Sequence, residues 1–120
     1  MKKRNFKSAK KRLFNLDLLD NAYNKDINVI KFSKHETFEH FLAKCLLCYE
    51  LIQIEHDFVT EAIFKNNKRA DIFDLTEGEA LEVLKSETNK YFETKTESYP
   101  VEIRPFKAQK IIDSWKKHIK

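Results

Sequence analysis

At Glu55–His56 the hydrophobic period of this chain changes, and no other feature constrains its fold as strongly. Before that point Phe38, Phe41, Leu42, Cys45, Tyr49 and Ile52 recur at three- and four-residue spacing, which describes one wide apolar face of a helix. Leu46, Leu47, Leu51 and Ile54 spread apolar character around its second half, so that half should be covered on more than one side. After it, "DFVTEAIF" (57–64), "RADIFDL" (69–75) and "ALEVLK" (80–85) are β-rich runs of period two. The links "KNNK" and "TEGE" are short and turn-like, so the runs form an antiparallel meander of three strands. Gly78, the only glycine, falls in the second turn, where a positive φ is most often needed.

The flanks extend this pattern. Ser33–Glu36 has the S-x-x-E form of a capping box, so the helix should run from about His35 to Ile54. "SETNKYFETKTES" reads as a second helix presenting Tyr91 and Phe92. Pro100 ends it and introduces "VEIRP", a fourth strand, before a basic helix, "KAQKIIDSWKKHIK", with Ile111, Ile112 and Trp115 on its apolar side. A length of 120 residues suits one compact domain. Residues 1–32 read as a basic arm, mobile or frayed over 1–12, then a short helix or turn and an extended piece at Val29–Phe32; residues 33–120 form the folded domain. The fold class is α/β in the broad, α+β sense: a central mixed sheet of about four strands flanked by helices.

Several chemistries are excluded. A single glycine cannot build a phosphate-cradling loop, so P-loop and Rossmann nucleotide binding are ruled out. No elbow motif surrounds any serine, and the histidines lack zinc-site spacing. Cys45 and Cys48 form one C-x-x-C without a second pair, inside a helical pattern, and read as helix cysteines rather than a zinc or redox site. The longest apolar stretch, "CLLCYELIQI", is interrupted by Glu50 and Gln53 and is far short of the roughly 20 residues of a membrane span. No apolar signal region follows the basic N-terminus, so a cytoplasmic protein is expected.

Charge is unevenly spread. Residues 1–12 carry seven Lys/Arg and no acid, residues 107–120 carry five Lys and one Asp, and residues 13–106 carry eleven basic against eighteen acidic side chains. An acidic centre with basic ends suits a protein that grips phosphates while its carboxylates hold a cation, although solvated termini give the same count. Strand alternation puts Glu61 with Val59 and Ile63, Asp71 with Phe73, and Glu82 with Ala80 and Leu84. Three carboxylates converging on one sheet face repel unless a cation neutralises them, and oxygen-only ligands suit Mg2+ or Mn2+. The same alternation also fits three acids facing solvent on an open sheet face.

The order helix, meander, helix, strand, with Asp71 in "RADIFDL" and Glu82 in "ALEVLKSE", resembles the PD-(D/E)XK nuclease superfamily, which includes restriction endonucleases and archaeal Holliday-junction resolvases. Small archaeal or phage nucleases and CoiA-like nuclease domains look most similar, through "HFLAK" (His40, Lys44), "TEA" (Glu61), "RADI" (Asp71) and "EVLKS" (Glu82, Ser86), over roughly residues 36–104. The resemblance implies a restriction-endonuclease-like αβββαβ core with an extra C-terminal helix, and Mg2+- or Mn2+-dependent cleavage of DNA, structure-specific in the resolvase manner. Asp71 and Glu82 would ligate the metal, with Glu61, or Glu36 or Glu39 from the helix, positioning a water.

One position departs from the pattern. Two residues after the Glu, where the superfamily carries Lys or Gln, stands Leu84. Strict alternation sends Lys85 to the face opposite Glu82 unless a bulge turns it back. Glu36, His40 and Lys44, at i, i+4 and i+8, make Lys44 the natural substitute. If neither lysine reaches the site, the protein binds DNA without cutting it; a third reading is a small interaction protein with its acids simply exposed. Phosphate contacts would come from Lys2, Lys3, Arg4, Lys7, Lys10, Lys11, Arg12, Arg69, Lys116 and Lys117. A homodimer joined through the Trp115 helix is expected by analogy with resolvases alone.

Overall fold

The computed structural model describes residues 6–20, 26–85 and 99–119, with side chains over 9–20, 26–85 and 99–117. The expected helix over 86–98 and Ser86, as well as Lys2, Lys3, Arg4 and the Lys7 side chain, lie outside what is described. The described residues form an α+β fold: α1 (Phe6–Leu16), α2 (Phe38–Gln53), β1 (Phe58–Ile63), β2 (Arg69–Asp74), β3 (Glu79–Leu84), β4 (Ile103–Lys107) and α3 (Ala108–Ile119). The sheet order is β1-β2-β3-β4. β1 to β3 are an antiparallel meander and β4 runs parallel to β3, so the sheet is mixed.

The meander's second turn explains its glycine. Gly78 has φ +77°, and a Cβ there would meet Asn15 Oδ1 at 2.9 Å, so both backbone and space demand glycine. Asp74 holds the turn: its Oδ1 accepts from the amides of Thr76 and Glu77, and its carbonyl from that of Gly78.

Two apolar clusters cover the two faces of the sheet. Phe58, Ile72, Leu81 and Val83 pack with Ala43, Leu47, Cys48 and Leu51 of α2. Val59, Ala62, Phe64, Phe73 and Ala80 pack with Leu19 on the other face. The buried side of α2 is therefore not the large-residue stripe the sequence suggested. Phe38, Tyr49 and Ile52 are exposed, while Ala43, Lys44, Leu47, Cys48 and Leu51 are buried. Small Ala43 and Cys48 let the helix approach the sheet, whereas a row of aromatic rings would hold it away. Tyr49 stacks edge-on with Trp115 of α3, ring centres 5.4 Å apart.

Two further expectations are corrected. α2 is capped by Thr37, whose Oγ1 accepts from the His40 amide, while Ser33 and Glu36 form a separate turn through Glu36 N to Ser33 O. From Phe6 onward the basic segment is helical. α1 begins at Phe6, Arg12 donates to Asp57 at 2.6 Å, and Asn15 Nδ2 donates to Leu75 O at 2.7 Å. The segment 28–31 lies along the edge of β1: Asn28 N donates to Phe58 O, Lys31 N to Thr60 Oγ1, and Thr60 Oγ1 to Val29 O. The fourth strand is Ile103–Lys107 rather than one starting at Val101.

Cys45 and Cys48 are thiols without a disulfide, and burial pushes Cys48 up to about 12, so it serves as packing. Among the described residues no helix is long and apolar enough to cross a membrane.

Candidate functional site

Alternation along β1 and β2 should place Glu61 with Val59 and Asp71 with Phe73, on the face away from α2. Both acids instead reach α2. Glu61 has φ +50° in the middle of a strand, a conformation strongly disfavoured for a residue with a Cβ, and it turns the carboxylate over to Lys44. The strand stays in register on either side, with Thr60 opposite Ile72 and Ala62 opposite Ala70. On β2 the alternation slips at Asp71: Ala70 and Phe73 share the far cluster, while Asp71 Oδ2 lies 3.3 Å from His40 Nε2 of α2.

The β2–β3 ladder has its last pair at Ile72 and Leu81, and beyond it the strands exchange side-chain to backbone bonds. Asp71 N donates to Glu82 Oε1 at 3.0 Å, and Val83 N donates to Asp71 Oδ2 at 2.7 Å. Each carboxylate thus satisfies an amide that the ladder leaves over, which pins Asp71 from both sides. The opening leads into a pocket of about 280 Å3 lined by Ser33, His35, Glu36, Thr37, His40, Glu61, Asp71 and Lys85.

Beneath this pocket lies a buried ion cluster. Lys44 is fully buried, and its Nζ donates to both oxygens of Glu36 at 2.9 and 2.7 Å, to Glu61 Oε1 at 2.9 Å and to Lys31 O at 2.6 Å. Burial pulls the ammonium's pKa down, but the Glu36 and Glu61 carboxylates outweigh it and leave the pKa above its ordinary value. Lys44 is therefore a permanent cation. His40 Nδ1 lies 2.9 Å from Glu36 Oε2. The hydrogen bond to Asp71 raises the imidazole most, burial opposes it, and with Glu36 the result is a pKa of about 9. At neutral pH His40 is an imidazolium that donates to Glu36 through Nδ1 and is ion-paired with Asp71 Oδ2 through Nε2 at 3.3 Å.

The expected residues divide as follows. Glu36, His40, Lys44, Glu61 and Asp71 are brought into one connected cluster, with Lys85 on the pocket wall. Lys85 needs no bulge. Leu81 and Val83 face α2, and the acids have turned to that side, so ordinary alternation takes Lys85 there too. Leu84 is buried at 3 % exposure. Glu82 is not part of the pocket lining; it is 4 % exposed and engaged with the Asp71 amide. Among the described residues no three His, Cys, Asp or Glu side chains gather as a metal-ligand group, so Asp71, Glu82 and Glu61 do not form the expected triad. Lys44 and His40 offset part of the charge of Glu36, Glu61 and Asp71. Glu39 is exposed on the first turn of α2, and its side chain forms no ion pair or hydrogen bond with a described residue.

The oxygens that remain are informative. Asp71 Oδ1 and Glu61 Oε2 bond to no described residue, and both residues line the pocket. Two carboxylates, with water and substrate phosphate oxygens completing the shell, are a donor set that Mg2+ accepts.

The basic residues expected to contact DNA are dispersed. Arg12 is ion-paired with Asp57 at 2.6 Å and Lys11 lies 3.7 Å from Glu77, whereas Arg69, Lys116 and Lys117 are exposed. Lys10 is exposed on α1. The strain at Glu61 is the feature that sequence reasoning missed, because nothing in "VTEAI" marks a left-handed residue.

No protein-family model, curated protein or solved structure matches this chain.

Proposed function

We propose that the pocket between α2 and the opened β2–β3 edge is a phosphodiester-cleaving centre acting on DNA with Mg2+ or Mn2+ held by Asp71 and Glu61. The observation that carries this reading is that Asp71 and Glu61 line one pocket and each keeps an oxygen, Oδ1 and Oε2, that bonds to no described residue, while Lys44 and His40 offset part of the cluster's charge. The element order supports it: a helix, an antiparallel meander and a parallel fourth strand agree with the PD-(D/E)XK arrangement that the sequence resembles. A bound ion would supply a more acidic water and offset charge on the phosphate.

The chain's own residues do the rest. Lys44 holds Glu61 and Glu36 in place, and His40 and the Val83 amide hold Asp71, so the ligand oxygens are positioned before substrate arrives. Glu82 fixes the backbone under Asp71, a supporting task in place of the ligand role expected for it. Lys85, at the wall, meets the phosphate and stabilises charge developing on its oxygens.

A second reading, a DNA-binding protein on the same fold that does not cut, is favoured by one fact. Lys44 is fully buried among four oxygens and cannot reach a phosphate without rearrangement. Incubation of single-stranded and duplex DNA with Mg2+ or Mn2+ separates the two. Cleavage lost in Asp71→Asn and Glu61→Gln supports the nuclease. Cleavage surviving the double variant overturns it, and salt-sensitive binding without cleavage supports the binder.

A further inference from the structure

The pocket is bordered by rings that the fold leaves uncovered. Phe32 and Phe38 are 62 % and 71 % exposed, whereas Phe58, Phe64 and Phe73 are completely buried. They bracket the stretch Ser33–Thr37, from which Ser33, His35, Glu36 and Thr37 line the pocket. Phe32 is held edge-on against Phe41, ring centres 5.2 Å apart at 86°, and Phe41 lies under the Lys44 ammonium at 5.5 Å. Phe38 stands three residues before Phe41 on α2, so the rings share one end of the helix. Between them Lys34 and His35 are exposed, and Lys34 forms no ion pair with a described residue. Exposed aromatic faces with a lysine between them complement a strand whose bases are unpaired and whose phosphates are charged. In an intact duplex the bases stack on one another and offer no such face.

We infer that residues 32–38 are a stacking shelf for single-stranded DNA, with bases on Phe32 and Phe38, a phosphate at Lys34, and the strand directed past His35 into the pocket. This names the substrate class of the site and rests on its reading as a phosphodiester centre. Strands with flaps or frayed ends satisfy it, and fully paired duplex does not.

Binding without divalent cation tests the shelf independently of cleavage. Fluorescence anisotropy of a labelled oligothymidine is compared with that of a duplex of equal length. The shelf predicts preference for the single strand, and a loss of roughly 5- to 150-fold for each stacked base in Phe32→Ala and Phe38→Ala. Duplex binding should change little. Phe32→Leu and Phe38→Leu, which retain apolar area and the fold, should lose most of the preference. Single-strand affinity unchanged in the alanine variants, or fully retained in the leucine variants, overturns the inference. So does a concentration-dependent dimer that the alanine variants dissolve while single-strand binding persists, which would make a second copy the occupant of this surface. Cleavage that fails while the shelf binds DNA would count against the nuclease and not against the shelf.

Discussion

Lys44 Nζ donates to Glu61 Oε1 at 2.9 Å, and Glu61 reaches it only by adopting φ +50° within β1. An ion pair inside the protein and a strained backbone residue are two parts of one arrangement. The pair holds the strain, and the strain brings a carboxylate across the sheet into the pocket.

Removing the ammonium should expose the cost of that arrangement. In Lys44→Met the Glu36 side chain, 2 % exposed, loses its main counter-charge. A loss of about 3–5 kcal/mol is expected in urea unfolding, as for other broken buried pairs. Adding Glu36→Gln should recover part of it, since the two changes act on one contact.

Glycine at position 61 should be the more stable choice. In an ordinary strand Glu61→Gly would be worse than Glu61→Ala. Here the left-handed backbone reverses the order, and Glu61→Gly should exceed Glu61→Ala in stability by about 1 kcal/mol in denaturant titration. Alanine more stable than glycine would show that β1 does not hold this conformation.

The pH dependence of stability follows from His40. Its pKa is raised from 6.5 to about 9 on folding. Below pH 6.5 the imidazole is protonated in both folded and unfolded states and its contribution is fully present. As pH rises from 6.5 toward about 9 only the folded state keeps the proton, so stability falls, by at most about 3 kcal/mol. Unfolding of the metal-free protein across this range should show that decline, and His40→Gln should flatten it.

Glu82→Gln separates a supporting residue from a ligand. The amide oxygen can still accept from Asp71 N, so a stability loss below about 1 kcal/mol is expected, with Mn2+ affinity within a few-fold of the parent. Asp71→Asn should weaken Mn2+ far more. Equal losses in the two variants would return Glu82 to the ligand set.

Much of the framework was legible in the sequence because it rests on period and turn chemistry. The change at Glu55–His56, the lone Gly78 and the i, i+4, i+8 line of Glu36, His40 and Lys44 correspond to the end of α2, the β2–β3 turn and the cluster around the pocket. What was not legible depends on departures from ideal geometry. Alternation assigned Glu61 and Asp71 to the wrong face because a positive φ and a slip in a ladder leave no mark in residue type. Hydrophobicity found only part of the buried side of α2: Leu47 and Leu51 are buried and Phe41, Leu42 and Cys45 half-buried, but Ala43 and Cys48 fit against the sheet where Phe38 and Tyr49 do not. Leu84, where the superfamily carries Lys or Gln, is buried, and it is the next residue, Lys85, that lines the pocket with Asp71 and Glu61.

The most direct test of the proposed centre is an anomalous difference map from crystals soaked in Mn2+. A peak within coordination distance of Asp71 Oδ1 and Glu61 Oε2, with Lys44 still bound to Glu36 and Glu61, is the predicted result. A fully active, Mn2+-soaked protein with no peak there, or with the ion on Glu82 instead, would contradict it.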